Sequence, residues 1–297
     1  MTITAETVKA LRERTGAGMM ECKKALVETG GDLDAAAEMM RKAGLAKADR
    51  KASRTAAEGV LAVARAGDGA SAAIVEVNCE TDFVARQPEF QSFAADVAAA
   101  ALAAPAGALA DPGRLALAGG KPVEDIRREL VARIGENISV RRAGRIAAPT
   151  TVGQYVHHNG KSGALVGLEG GDEALARDVA MHVTSANPQY LRPEDVPAGA
   201  LAKEREILAA QAAGEGKPAA ILEKMIDGRL RKYLSGICLT GQPFVKDDSL
   251  TVGELLQKAG ARATGFLRYE VGEGIERQQS DFAAEVMAQV KAAESRR

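Results

Sequence analysis

The chain holds few side chains able to do covalent chemistry, and their spacing argues against most of it. Its histidines are His157, His158 and His182, and its cysteines are Cys22, Cys79 and Cys238. None of these stands at metal-ligand spacing with another, and the odd, scattered thiols form no disulfide framework. Cys79 sits beside Glu80 and Asp82, whose charges raise a thiol pKa, the wrong direction for a nucleophile. Gly160-Lys161-Ser162 matches the end of a phosphate-binding loop, but the glycine that the full spacing needs is replaced by Tyr155, and the run falls in a hairpin turn. His182 reads as a packed helix residue, and His157 and His158 as exposed residues near a turn. No nucleophile–base pair stands out, and no metal or cofactor is expected. The residues favour a binding or regulatory protein over an enzyme.

The stretch that invites a question is Asn78-Cys79-Glu80-Thr81-Asp82-Phe83-Val84. It follows a β-branched run in which Ala73, Val75 and Val77 face one side and Ile74 and Asn78 the other, as in a buried strand. The strand ends in a polar knot, and two large apolar residues come directly after it. Only 3% of the chain is aromatic, so a phenylalanine beside an acid at a strand end is unusual. One reading folds Phe83 back into its own core; the other leaves it for a partner.

An internal repeat bears on that choice. Residues 62 to 75 lie on 153 to 166 at an offset of 91, with Asp68-Gly69 on Asn159-Gly160; both dipeptides are hairpin signals. The helices that follow align at an offset of 82, Phe93 falling on Leu175. The first copy therefore carries an excursion of 91 − 82 = 9 residues between Asn78 and Glu89, around Thr81-Asp82-Phe83-Val84. A loop added to a complete scaffold is more often functional than structural.

The rest of the chain must position that loop. Residues 4–44 read as three short helices, the first capped by Thr4, the third by Asp32 and ended by Gly44, with Met20, Leu26, Leu33, Met39 and Met40 packed together. The basic run of Lys47, Arg50, Lys51 and Arg54 reads as a solvated, partly helical linker. A helix after Pro122 and a strand through Ile138, Val140 and Ile146 follow, with Arg141, Arg142 and Arg145 on the outer face of the strand. Helical stretches at 198–213 and 217–234 form an antiparallel hairpin. Thr251 caps a short helix, 264–271 is a strand, and Ser280 caps a last helix over 281–293. Strands and helices do not alternate regularly, so the fold class is α+β with antiparallel sheets covered by helices.

Length and composition set the class. At 297 residues, two or three domains are expected. A net charge of −1, from 39 basic and 40 acidic residues, gives no broad footprint for nucleic acid or membrane. Met1-Thr2-Ile3-Thr4-Ala5-Glu6 carries neither a basic leader nor an apolar core, and no apolar run is long enough to span a bilayer. A reducing, cytoplasmic setting is expected.

Several runs resemble bacterial elongation factor Ts: Val8 to Leu26 with Arg12, Met19 and Met20; Glu76 to Ala85; Ile134-Gly135-Glu136-Asn137; Ala180-Met181-His182-Val183; Leu239 to Val245; and Phe266 to Gly274. They occur in family order. The resemblance implies a guanine nucleotide exchange factor that binds GDP-bound elongation factor Tu. It implies an N-terminal three-helix, UBA-like docking domain (1–45), a linker (46–59) and a core of two similar α+β subdomains (60–148 and 149–279). A helical hairpin (about 198–234), open to homodimerisation, is inserted in the second, and a C-terminal helical module (280–297) follows. By match, Thr81, Asp82, Phe83 and Val84 displace the partner's Mg²⁺, and Arg12, Met19 and Met20 dock. The competing reading is an RNA-binding accessory protein of translation that uses residues 46–54 and Arg141, Arg142 and Arg145.

Overall fold

The computed structural model describes residues 3–105, 107–214 and 218–276. Three helices open the chain: α1 (Ala5–Thr15), α2 (Met19–Glu28) and α3 (Leu33–Lys51). Thr4 caps α1 and Asp32 caps α3, each satisfying amides that the first turn leaves unpaired. Val8, Leu11, Cys22, Ala25, Leu26 and Ala36 fill the space between them. Met20, expected in that core, is exposed instead. It stands two residues before Cys22, about 200° round the helix from the face that Cys22, Ala25 and Leu26 bury.

Two copies of one unit follow. The first is β1 (Glu58–Arg65), β2 (Ser71–Cys79), a single turn α4 (Asp82–Ala85), α5 (Pro88–Ala103), α6 (Val123–Ile134) and β3 (Ile138–Ala147). The second is β4 (Thr151–Val156), β5 (Ser162–Glu169) and α7 (Glu173–Ala186), then the paired helices α8 (Ala198–Ala213) and α9 (Ala219–Ile237), then β6 (Pro243–Phe244), β7 (Asp247–Thr251), α10 (Val252–Lys258) and β8 (Arg262–Glu270). Each copy has a three-stranded antiparallel sheet, β1-β2-β3 and β4-β5-β8.

The repeat holds in the hydrogen-bond register. Ala64 faces Ala73 in one hairpin and Tyr155 faces Ala164 in the other, the same 91-residue offset for both strands (155 − 64 = 164 − 73 = 91). The copies also exchange equivalent bonds: the Leu61 amide donates to Gly160 O at 2.8 Å, and the Val152 amide donates to Gly69 O at 2.8 Å. This reciprocity is what an approximate two-fold axis between the units produces.

Alternation along the strands sets the layers. Ala73, Val75, Val77 and Cys79 point toward α5 and α6. Ala72 and Ile74 point the other way, against Val152, Leu165 and Val271 of the second copy. On β5, Ala164, Val166 and Leu168 pack under α7 and α10. The order is helix, sheet, sheet, helix.

The sequence-based element assignments need several corrections. The helix expected to end at Gly44 runs on to Lys51. A Cβ at Gly44 would lie 2.9 Å from that of Ala132, so this glycine serves close packing of α3 on α6, and the alanine- and lysine-rich run beyond it favours helix. The excursion is shorter than the helix offset implied. Residues 80–87 join β2 to α5 and 170–172 join β5 to α7; part of the nine-residue difference lies inside α5, which starts further ahead of Phe93 than α7 does of Leu175. The expected helix over 281–293 and residues 215–216 of the hairpin turn lie outside the described residues.

Arg141, Arg142 and Arg145 are not a free outer face. Arg145 Nη1 donates to Leu102 O at 2.9 Å and Ala104 O at 2.5 Å, closing the end of α5. Arg141 and Arg142 converge on Glu76, which is fully buried on the face of β2 that meets the second sheet. Its carboxylate accepts from Arg141 Nη1 at 3.0 Å, Arg142 Nε at 2.6 Å, Asn78 Nδ2 at 3.1 Å and the Gly272 amide at 2.8 Å. The Arg142 guanidinium also lies 4.2 Å from the centre of the Tyr269 ring. One carboxylate thus ties β2 and β3 of the first copy to the segment after β8.

Burial alone would raise the Glu76 pKa. Hydrogen bonds from Gly272, Asn78, Arg141 and Arg142 outweigh it and hold the pKa below the ordinary 4.5. Its contribution to stability is therefore complete above pH 4.5 and is lost as pH falls through the depressed folded value. Glu76→Gln should lower unfolding free energy at pH 7.5 by about 2 kcal/mol, a figure reduced for the partly exposed arginines. The gap to the native chain, read from urea midpoints, should narrow as the buffer is taken below pH 4.

Candidate functional site

The turn that carries Phe83 is built from its neighbours inward. Val84 and Ala85 are buried and join the core beneath β2 and α5. Thr81 caps the turn: its hydroxyl accepts from the Val84 amide at 3.4 Å and donates to Glu136 Oε1 at 2.7 Å. The Thr81 amide donates to Glu136 Oε2 at 3.0 Å. With Thr81 fixed on one side and Val84 and Ala85 on the other, Phe83 faces out and is 75% exposed. Asp82 is also on the outside, its carboxylate 2.6 Å from Arg86 Nη2; both groups are well solvated, so that pair is weak and exchangeable.

The four residues taken together from the sequence therefore divide. Phe83 and Asp82 face solvent, Val84 anchors, and Thr81 is the cap. Cys79 lies just beneath, its thiol 3.1 Å from Thr81 O. Burial, then the charges of Glu136 and Glu58, push that thiol up to about 12. The direction matches expectation; the cause differs, since Glu80 and Asp82 were the expected sources.

Arg12, Met19 and Met20 lie apart from this turn in sequence, on the outer side of the first two helices. Arg12 is exposed, Met19 is 45% exposed and Met20 75%. Val27 on α2 is 59% exposed, an apolar surface residue that the sequence reading passed over. It stands seven positions after Met20, and that two-turn spacing was the available signal. The three-helix unit leans on the body near α4. Gly16, ending α1, lies against the Arg133 side chain, and Arg133 pairs with Glu89 in the first turn of α5. Beside the contact of α3 with α6, a cleft of about 860 Å³ opens between the three-helix unit and α6, lined by both signs of charge, among them Arg14, Glu38, Arg128 and Glu129.

The remaining sequence candidates have structural roles. Lys161 follows the β4–β5 hairpin turn, and its Nζ lies 2.5 Å from Glu58 Oε2. His182 is buried. Its Nδ1 accepts from the Val245 amide at 3.2 Å, so Nε2 carries the proton shared with Gln242 Oε1 at 3.0 Å. Burial holds its pKa below 6.5 although Gln242 opposes this. His158 is exposed, and His157 is half-buried. Among the described residues no group of His, Cys, Asp and Glu could hold a metal ion, and no helix is long and apolar enough to cross a membrane. Of the cations invoked for RNA, Arg141, Arg142 and Arg145 are committed to internal contacts.

The residues missed from sequence are Glu76, Glu80, Glu136 and Asn137. Glu76 was legible as a lone acid inside a β-branched run. Glu136 and Asn137 stood in a quoted motif without a role, because their partners lie more than fifty positions away.

The family model described as Elongation factor TS matches residues 80–273. The elongation factor Ts of Methylococcus capsulatus is 55% identical over 293 residues, covering 98% of this chain and 100% of its own. That of Thioalkalivibrio sulfidiphilus is 56% identical over 297 residues, covering 99% and 100%, and that of Idiomarina loihiensis is 54% identical over 293 residues, covering 99% of each.

The division of labour within the turn sets an expectation for stability. Val84→Ala should cost about 2 kcal/mol, whereas Phe83→Ala should change stability by less than about 0.5 kcal/mol. Urea unfolding of both variants checks the contrast.

Proposed function

This chain belongs to the elongation factor Ts family, the nucleotide exchange factors for elongation factor Tu in translation elongation, and from that premise we propose how its surface does the work. Exchange of this kind makes and breaks no covalent bond; it is a difference in binding. The chain engages the GDP-bound partner in the cytoplasm, and Phe83 enters the partner beside the nucleotide's Mg²⁺. Mg²⁺ demands near-ideal octahedral geometry, so a small displacement of its ligands costs it much of its affinity. Asp82 releases Arg86 and holds the shifted arrangement by a polar contact. Arg12, Met19 and Met20 dock on the same partner, which supplies binding energy to offset the loss of nucleotide contacts. Coupling is reciprocal: to the extent that the factor weakens GDP, GDP weakens the factor.

The observation that carries this reading is Phe83, a large apolar side chain 75% exposed between a fixed cap and a buried anchor. An exposed phenyl ring forfeits about 2 kcal/mol of burial, and its fixed neighbours direct it outward. Homodimerisation, where it occurs, uses the α8–α9 hairpin, whose Ile207 and Ile221 are exposed.

Phe83→Ala should slow factor-stimulated release of labelled GDP from elongation factor Tu by about tenfold or more, equivalent to about 1.4 kcal/mol of lost stabilisation. Stopped-flow fluorescence at saturating factor reads it; an unchanged rate would overturn the wedge.

A further inference from the structure

The Phe83 turn is held by a reciprocal pair of side-chain-to-backbone bonds that the exchange reading does not by itself require. Two adjacent residues on one segment, Glu80 and Thr81, face two on another, Glu136 and Asn137. The Glu136 carboxylate takes the Thr81 amide at 3.0 Å and its hydroxyl at 2.7 Å, while the Glu80 carboxylate takes the Asn137 amide at 2.6 Å. Each acid closes on the backbone beside the other.

The second segment is in turn fixed. Gly135 ends α6 at a φ of 89°, a left-handed cap that favours glycine, and its carbonyl accepts from Lys51 Nζ at the end of α3. Asn137 Nδ2 donates to Arg54 O at 2.7 Å and more weakly to Ala52 O at 3.4 Å, and Arg54 Nη1 lies 3.5 Å from Glu80 Oε2. A continuous set of polar contacts therefore runs from the end of α3, through the α6–β3 turn, to the cap of α4.

A one-turn helix has almost no stability of its own. Its orientation must come from outside: Glu136 takes both the amide and the hydroxyl of its cap, and the Cys79 thiol meets the cap's carbonyl. We propose that Glu136 is a positioning residue for exchange: it fixes Thr81, and through the α4 turn sets the direction in which Phe83 leaves the surface. Glu136 acts through the ring and touches neither nucleotide nor metal. This deepens the reading in which Phe83 enters the partner and rests on it.

The test is a cycle in labelled-GDP release from elongation factor Tu, with the full chain carrying Glu136→Ala, Glu136→Gln, Phe83→Ala, or Glu136→Ala with Phe83→Ala. Rates are taken across factor concentration, and circular dichroism with a thermal melt shows that each variant is folded at the assay temperature. Glu136→Ala should lower the maximal rate about fivefold and leave the half-saturating concentration within about twofold, because docking elsewhere is intact. Glu136→Gln, which keeps one acceptor, should recover at least half of the loss. In the Phe83→Ala background the same substitution should add nothing. Hydrogen exchange at Thr81 and Val84 should quicken in Glu136→Ala while β2 is unchanged. A normal maximal rate in Glu136→Ala, or an undiminished effect without the ring, overturns the positioning role. If Phe83→Ala alone leaves the rate unchanged, it is the wedge that fails, whatever Glu136 does.

Discussion

A phenyl ring kept in water is the constraint on which the rest of this structure turns. The ring gains nothing from its own fold, and a single helical turn cannot hold a direction unaided. The molecule resolves this by fixing the residues on both sides of the ring. Val84 and Ala85 are buried in the core beneath β2, and Thr81 is bound through both its amide and its hydroxyl. The ring is exposed because Thr81 before it and Val84 after it are both held in place.

Those anchors need a rigid base, and the duplicated sheets supply it. The hairpin turns exchange hydrogen bonds across the approximate two-fold axis, and Glu76 closes the seam with two arginines and the Gly272 amide. A buried carboxylate is a costly way to join two sheets unless each lone pair is met; here four donors meet it. The same seam consumes Arg141 and Arg142, cations that in sequence look available for nucleic acid. The three-helix unit, the seam and the Phe83 turn thus sit on one framework, with the α6–β3 turn as the point where the three-helix unit and α4 come together.

Much of this was legible in the chain. The caps at Thr4, Asp32 and Thr251, the two hairpin turns and the 91-residue repeat all rest on local chemistry: a side-chain oxygen for a free amide, or a glycine for a positive φ. The excursion after β2 was visible as a change of offset, and with it the reason to expect Phe83 outside the core. What sequence did not show was long-range. Gly44 reads as a stop because the glycine's reason, Ala132 on another helix, lies far along the chain. Met20 reads as core until Cys22 is known to face inward. Glu136 and Asn137 gain meaning only when folding sets them against Glu80 and Thr81.

The central claim is that the ring acts on the partner's metal ion and not merely on its surface. Mg²⁺ dependence separates the two directly. GDP release from elongation factor Tu should be followed with the native chain and with Phe83→Ala, first in millimolar Mg²⁺ and then with the ion chelated. The account predicts that the difference between the two proteins, present with Mg²⁺, disappears once the ion is gone. A difference of the same size under chelation would contradict it.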